Sequence, residues 1–230
     1  MIIRAILLCE PMLNKTMIRE GKKYNAIILA AGNSERMGQP KLFLPFDKNH
    51  TFLDMSILAF NQFGCVEIVV VINKNIASIQ NTSSDYAMEN VHYCVNLNPE
   101  EGRFSSIQIG IRQLNQHLPL FIHNVDNPFV TKEILTELSQ NFLLDYARPV
   151  FNGKGGHPVL LSEKISTMIG QEVLPVKNFK TFLLPFKRQN IEVHDKCVLA
   201  NINSPEDYKL WFGSDLIKIS NTVFNHHSLP

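Results

Sequence analysis

Ala26-Ile27-Ile28-Leu29-Ala30-Ala31-Gly32-Asn33-Ser34-Glu35-Arg36-Met37-Gly38-Gln39-Pro40-Lys41 is the stretch whose reading decides the fold. It opens on six apolar residues, then breaks into a loop with glycines at 32 and 38 and cations at 36 and 41. A short run with no polar face suits a strand buried on both sides of a parallel sheet. A loop past the carboxyl end of such a strand is where open α/β sheets bind ligands. Glycines let backbone N–H groups turn toward an anion. Arg36 offers a planar fork to phosphate oxygens, and Lys41 a mobile point charge. A solvated turn with two surface cations is the competing reading. Neither better-known phosphate loop fits: Gln39 and Pro40 separate Gly38 from Lys41, and a third glycine at short spacing is missing.

Outward from this stretch the chain alternates. Leu53, Ile57, Leu58 and Phe60 fall at helical spacing and Gly64 closes them; Glu67 to Ile72 is a second buried strand. A weak helix is predicted over 75–88 and a short strand over Val91 to Val95. Ser105 or Ser106 can cap a helix carrying Ile107 and Ile111, and Leu120 to Val125 is another strand, ending at Asp126. Thr131 caps the next helix. Such a rhythm predicts one three-layer α/β/α domain with a mostly parallel central sheet, Rossmann-like in architecture. In the second half, Arg148 to Phe151 and Pro158 to Leu161 flank a glycine-rich turn. A helix is expected over 176–186, a strand over 190–193, and a final helix opened by Ser204-Pro205-Glu206-Asp207. The expected domain spans about 25–213, with an N-terminal extension (1–24) and a tail (214–230).

Composition narrows the partners. In 230 residues, 22 Lys and Arg against 21 Asp and Glu leave a formal charge of +1, so no global field favours a nucleic-acid polymer. Cys9, Cys65, Cys94 and Cys197 are far apart without a C-x-x-C pair, which fits reduced, buried thiols and a cytoplasmic protein. No apolar run reaches the ~18 residues of a spanning helix, so no membrane partner is expected. The run Ile2 to Cys9 lacks the build of a secretory signal; an appended strand or an overlong gene start, with Met17 the alternative initiator, is expected.

Leu-Ala-Ala-Gly-x-Ser-x-Arg-Met-Gly-x-x-Lys resembles the first motif of the molybdenum-cofactor nucleotidyltransferases and their guanylyl- and cytidylyl-transferring relatives, which share a glycosyltransferase-A-like fold. Further matches follow in order: Gly102-Arg103-Phe104-Ser105-Ser106-Ile107, Val125-Asp126-Asn127-Pro128, Gly155-Gly156-His157-Pro158-Val159 and Asn201-Ile202-Asn203-Ser204-Pro205-Glu206-Asp207-Tyr208. The resemblance implies an Mg²⁺-dependent transfer of an NMP unit from CTP or GTP to a small phosphorylated acceptor, with molybdopterin the leading acceptor. Sugar- or polyol-phosphate activation and a non-catalytic nucleotide-binding accessory protein are the alternatives.

By that resemblance Arg36, Lys41 and Asp126 are the catalytic candidates. Leu29, Ala30, Ala31, Gly32, Ser34, Gly38, Lys41, Ser105 and Ser106 would meet the nucleotide. Lys154, Gly156 and His157 would meet the acceptor, and Asp126 with Asn203 would hold the metal. Residue chemistry keeps alternatives open: Asp126 can form a turn, Asn203 can cap the last helix, and the two serines can cap theirs. Leu-Ala-Ala-Gly points to CTP and Asn-Ile-Asn to GTP. Residues 174–182 lack the Gly-Asp-x-Gly-Ala stretch of molybdopterin cytidylyl relatives.

Overall fold

The computed structural model describes residues 22–80, 88–171 and 178–213. Its strands are β1 (Asn25–Leu29), β2 (Ile68–Asn73), β3 (Val91–Asn96), β4 (Leu120–Asn124), β5 (Tyr146–Phe151), β6 (Lys154–Gly155), β7 (Val159–Leu161) and β8 (Arg188–Glu192). The helices are α1 (Phe52–Phe63), α2 (Lys74–Gln80), α3 (Arg103–Arg112), α4 (Lys132–Gln140), α5 (Glu163–Gln171), α6 (Phe179–Leu183) and α7 (Pro205–Phe212). One sheet holds all eight strands in the order β3-β2-β1-β4-β7-β5, with β6 and β8 both on β5. The first four strands are parallel, β7 runs antiparallel between β4 and β5, and β8 is parallel to β5.

Two-residue periodicity divides the core. Ala26, Ile28, Ile68, Val70 and Phe121 face one layer, built from α1, α4 and α7. Ile27, Leu29, Val69, Val71 and Ile122 face the other, built from α3, α5 and α6. Every residue of β1 and β2 is buried, which is why these strands read as continuous apolar runs. The three-layer expectation holds. His123 belongs to the α1 side, edge-on to Phe60 at 5.6 Å; burial drives its pKa down to about 3, so it is a neutral core residue. No helix among the described residues is long and apolar enough to cross a membrane.

Local signals explain most boundaries. Thr51 and Asp54 form a capping box on α1, Gly64 ends it with φ 94°, and Thr131 caps α4. Three expectations change. The cap of α3 is Gly102, not Ser105 or Ser106, which lie inside the first turn. The helix predicted over 75–88 is described as α2 over Lys74–Gln80, and 81–87 lie outside the described residues. The helix predicted over 176–186 shortens to Phe179–Leu183 because Asn178, accepting from the N–H groups of Lys180 and Thr181, starts it late. Residues 176 and 177, like 214–230 and most of 1–24, lie outside the described set.

Between β6 and β7 the chain steps out of the sheet through Gly156, His157 and Pro158. Gly156 lies against the backbone at Val198, where a Cβ would stand 2.3 Å from the Val198 carbonyl oxygen. A backbone atom tied by other bonds cannot yield as a flexible side chain does. Gly156→Ala should therefore destabilise the fold by ~1–3 kcal/mol, as overpacking does, and lower the thermal midpoint by several degrees. An unchanged midpoint in calorimetry would remove this contact as a constraint.

Candidate active site

A cleft of about 570 Å³ opens at the carboxyl ends of β1 and β4. Of the residues picked from sequence, Leu29, Ala30, Ala31, Gly32, Ser34, Arg36, Lys41, Ser106, Asp126 and Asn203 line it. Gly38, Ser105, Lys154, Gly156 and His157 do not. Asn33, Glu35, Pro99, Arg103 and Asn124 line it without having been singled out.

The loop after β1 is held at two points. Its left-handed residues are Ser34 (φ 54°) and Gly38 (φ 71°) rather than Gly32. That bend lets the Ser34 hydroxyl accept the Lys41 backbone N–H at 3.2 Å, so the serine closes the loop onto the lysine. From the end of β2, Asn73 Nδ2 donates to the Ala31 carbonyl at 3.1 Å while its Oδ1 accepts the Ile76 N–H. Arg36 stays exposed at the mouth.

The Lys41 ammonium joins three distant segments. It stands 3.2 Å from Asp126 Oδ2, just beyond β4, and donates to Asn203 Oδ1, just before α7. Asn203 is steered there by its own neighbours. Ser204 and Asp207 form the capping box of α7, and Asp207 Oδ2 also accepts the Asn203 N–H at 2.9 Å. The helix cap is thus Ser204, and the Asn203 carboxamide is free to face the lysine. An aromatic stack of Phe52, Tyr208 and Phe212 packs α7 onto α1, and the Tyr208 hydroxyl donates to the Pro45 carbonyl at 2.8 Å.

On the α3 side, Gly102 adopts φ 95° and ψ 178°, a region open essentially to glycine alone. This turn delivers Arg103 into the cleft, its guanidinium 5.7 Å over the Phe179 ring. Burial within the cleft walls lowers the Arg103 pKa, and the Asp126 carboxylate opposes that shift. Ser105 and Ser106 are both engaged by Asn96 Nδ2, at 3.1 and 2.9 Å. Arg103 escaped sequence reading because its motif was read for its glycine and serines. Asn124 escaped because it ends an apolar strand, and Asn73 likewise.

His157 sits behind the cleft wall, its Nε2 3.4 Å from Asn124 Nδ2. Burial, followed by the charges of Arg103 and Arg148, lowers its pKa to about 4. It is a neutral imidazole at physiological pH. Lys154 is exposed on β6.

A divalent cation fits the donor set at one point. Asp126 Oδ2 and Asn203 Oδ1, one charged and one neutral oxygen, already converge on a single cation, the Lys41 ammonium. Such hard oxygens suit Mg²⁺, which commonly takes one or two protein ligands and completes its shell with phosphates and water. Among the described residues no group of three or more His, Cys, Asp and Glu gathers to cage a metal without substrate.

A loop with two cations at the carboxyl end of a buried strand faces a carboxylate across one cleft, an arrangement that fits an α/β nucleotidyltransferase. The chain belongs to the family of the MobA-like NTP transferase domain, which matches residues 26–173. It is 29% identical over 188 residues to the molybdenum cofactor cytidylyltransferase of Escherichia coli K12, covering 80% of this chain and 93% of that one. A nucleotidyl transferase from Methanothermobacter has the same fold at TM-score 0.68 and 19% identity, covering 83% of this chain and 96% of that one. So has Rv0371c of Mycobacterium tuberculosis H37Rv, solved with manganese, at TM-score 0.66 and 16% identity, covering 84% and 100%.

The histidines set a pH dependence. An unfolded histidine titrates near ~6.5, whereas folded His157 and His123 titrate at about 4 and about 3. Below ~6.5 the unfolded chain takes up protons that the folded one refuses, so stability falls as pH drops toward 4. Urea unfolding between pH 7 and 5 should show this fall, with a shallower slope in His157→Gln. Equal slopes would mean that His157 protonates freely in the fold.

Proposed function

We propose that this protein transfers a CMP unit from CTP to the phosphate of a small acceptor of the molybdopterin type, with Mg²⁺, releasing pyrophosphate. The carrying observation is the convergence of Lys41, Asp126 and Asn203 at one end of a cleft whose floor is the loop after β1. The cytidylyl specificity of the Escherichia coli relative supports CTP, as does Leu29-Ala30-Ala31-Gly32. GTP is the second reading, favoured by the neutral Asn203 in the Asn-Ile-Asn element. The acceptor class rests on the same relative, and the reduced cysteines suit a cytoplasmic setting.

In the reaction an acceptor phosphate oxygen bonds to the α-phosphorus, the bridging oxygen to the β-phosphorus departs, and pyrophosphate leaves with the electron pair. The protein's task is positioning and offsetting charge. Arg36 and Lys41 would hold the triphosphate; Lys41, already balanced between Asp126 and Asn203, would meet charge developing on the leaving group. Asp126 and Asn203 would hold Mg²⁺, which neutralises phosphate charge when bound. Backbone groups of Ala30, Ala31 and Gly32, with Ser106, would meet the nucleoside.

A cation ~4 Å from a phosphate charge interacts by roughly 4 kcal/mol at an effective ε of 20, about three decades in rate if expressed only in the transition state. Lys41→Ala should therefore lower kcat for pyrophosphate release by about three decades. Asp126→Ala should lose the Mg²⁺ dependence of the wild type. Pyrophosphate release assays with CTP or GTP, a molybdopterin-type cofactor and polyol phosphates separate the readings. Nucleotide binding without release for any acceptor would instead favour an accessory protein.

A further inference from the structure

Nucleotidyl transfer brings an anionic nucleophile to an anionic α-phosphate, so cations are needed on the acceptor's approach as well as beside the leaving group. Arg36 and Lys41, which would serve the triphosphate, share one loop. The residues that the motif resemblance offers on the acceptor side cannot supply the second set. Gly156 has no side chain, Lys154 is exposed on β6 with no side-chain hydrogen bond to hold it among the described residues, and His157 is neutral; Arg148, like Lys154, lies outside the cleft lining but is held in place.

Two arginines occupy that side instead. Arg103 lines the cleft with Asp126, its guanidinium lying on the Phe179 ring. Asn124, also in the lining, contacts His157, and His157 continues into Gly156 and Gly155. Arg148 of β5 lies on Gly155, so close that a Cβ there would stand 2.2 Å from its Cζ. Asn190 Oδ1 accepts the Arg148 Nε–H at 3.1 Å and helps hold the guanidinium over Gly155. Neither arginine forms an ion pair with a described carboxylate. The charges of both reach His157, that of Arg188 reaches Arg148, and the Asp126 carboxylate acts on Arg103 alone. Two guanidinium groups, neither of them ion-paired to a described carboxylate, on one path outward from the cleft suit a doubly charged phosphate.

We propose that Arg103 and Arg148 bind the phosphate of the acceptor, Arg103 at the reacting end and Arg148 farther out. The acceptor is then a phosphomonoester, whose dianion matches two forks better than a neutral hydroxyl would. The inference rests on the nucleotidyl-transfer reading and adds its acceptor subsite.

Inorganic phosphate is the probe. The full chain is saturated with α,β-methylene-CTP and Mg²⁺, which fill the nucleotide and leaving-group positions without reacting, and phosphate is titrated while thermal midpoints are followed. α,β-Methylene-GTP is used if the cytidine analogue gives no shift. Wild type should show a further rise with phosphate. Arg103→Gln and Arg148→Gln should each weaken the apparent phosphate affinity at least tenfold and keep the analogue affinity within twofold. Arg148→Lys, which keeps the charge but loses the fork, should fall between. Ligand-free midpoints of all variants report folding. No phosphate effect in wild type, or an undiminished one in the variants, overturns the inference, as does a tenfold loss of analogue affinity in Arg103→Gln. A wild type that responds to neither analogue overturns the nucleotidyl-transfer reading itself, and this one with it.

Discussion

The carbonyl oxygen of Val198 is the point from which the loops at the carboxyl end of the sheet are hung. It accepts the His157 N–H at 3.0 Å and the Asn127 side-chain amide at 3.0 Å, and it leaves room at 156 only for glycine. Four residues later the Ile202 N–H donates to the Asp126 carbonyl at 2.9 Å. Three segments are thereby fixed to one another: the turn after β4, the step before β7 and the strand-like approach to α7. Asn127 is almost wholly buried, so losing its partner would leave an amide unsatisfied at a cost of about 1–3 kcal/mol. The position of Asp126 is set by its own carbonyl's bond to Ile202 and by the bonds of its neighbours, and its carboxylate is then met by Lys41.

Electrostatics follows from that scaffold. A chain of net charge +1 has no field to gather phosphates, so it concentrates cations locally on two walls of one cleft. Lys41 is ion-paired with Asp126, while among the described residues Arg36 and Arg103 have no ion pair. On the proposed reading, this mobile charge would be held against a carboxylate until phosphates compete for it. Buried His123 and half-buried His157 stay neutral beside Arg103, which spares the cleft a further cation at physiological pH.

The fold was largely legible because burial on both faces forces β1 and β2 into uninterrupted apolar runs, and because helix caps such as Thr51, Thr131 and Ser204 are local signals. Where capping was decided by backbone conformation, reading failed: Gly102, with no side chain to advertise itself, starts α3 in place of two plausible serines. Much of the cleft was legible through ordered motifs. Arg103 and Asn124 were not, since their importance comes from what the topology sets beside them, and an arginine or asparagine at a strand or helix end carries no periodic signature. His157 shows the converse. Its motif was legible, but its protonation state depends on burial and on two arginines 54 and 9 residues away in sequence.

The antiparallel β7 makes this possible. In a wholly parallel sheet the next strand after β4 would present its own carboxyl end to the cleft, and with it another loop like the one after β1. Reversing β7 brings the start of a strand there instead, so Pro158, His157 and the glycine pair face the carboxyl end of β4. The hairpin from β5 then carries Arg148 beside them, and β8 adds Arg188 from the far side. A half bearing the loop after β1 and an arginine-bearing half are brought together because one strand runs backwards, and on the proposed reading the two kinds of substrate phosphate would be met by different chemistry: a loop with a mobile lysine on one side, planar forks on the other.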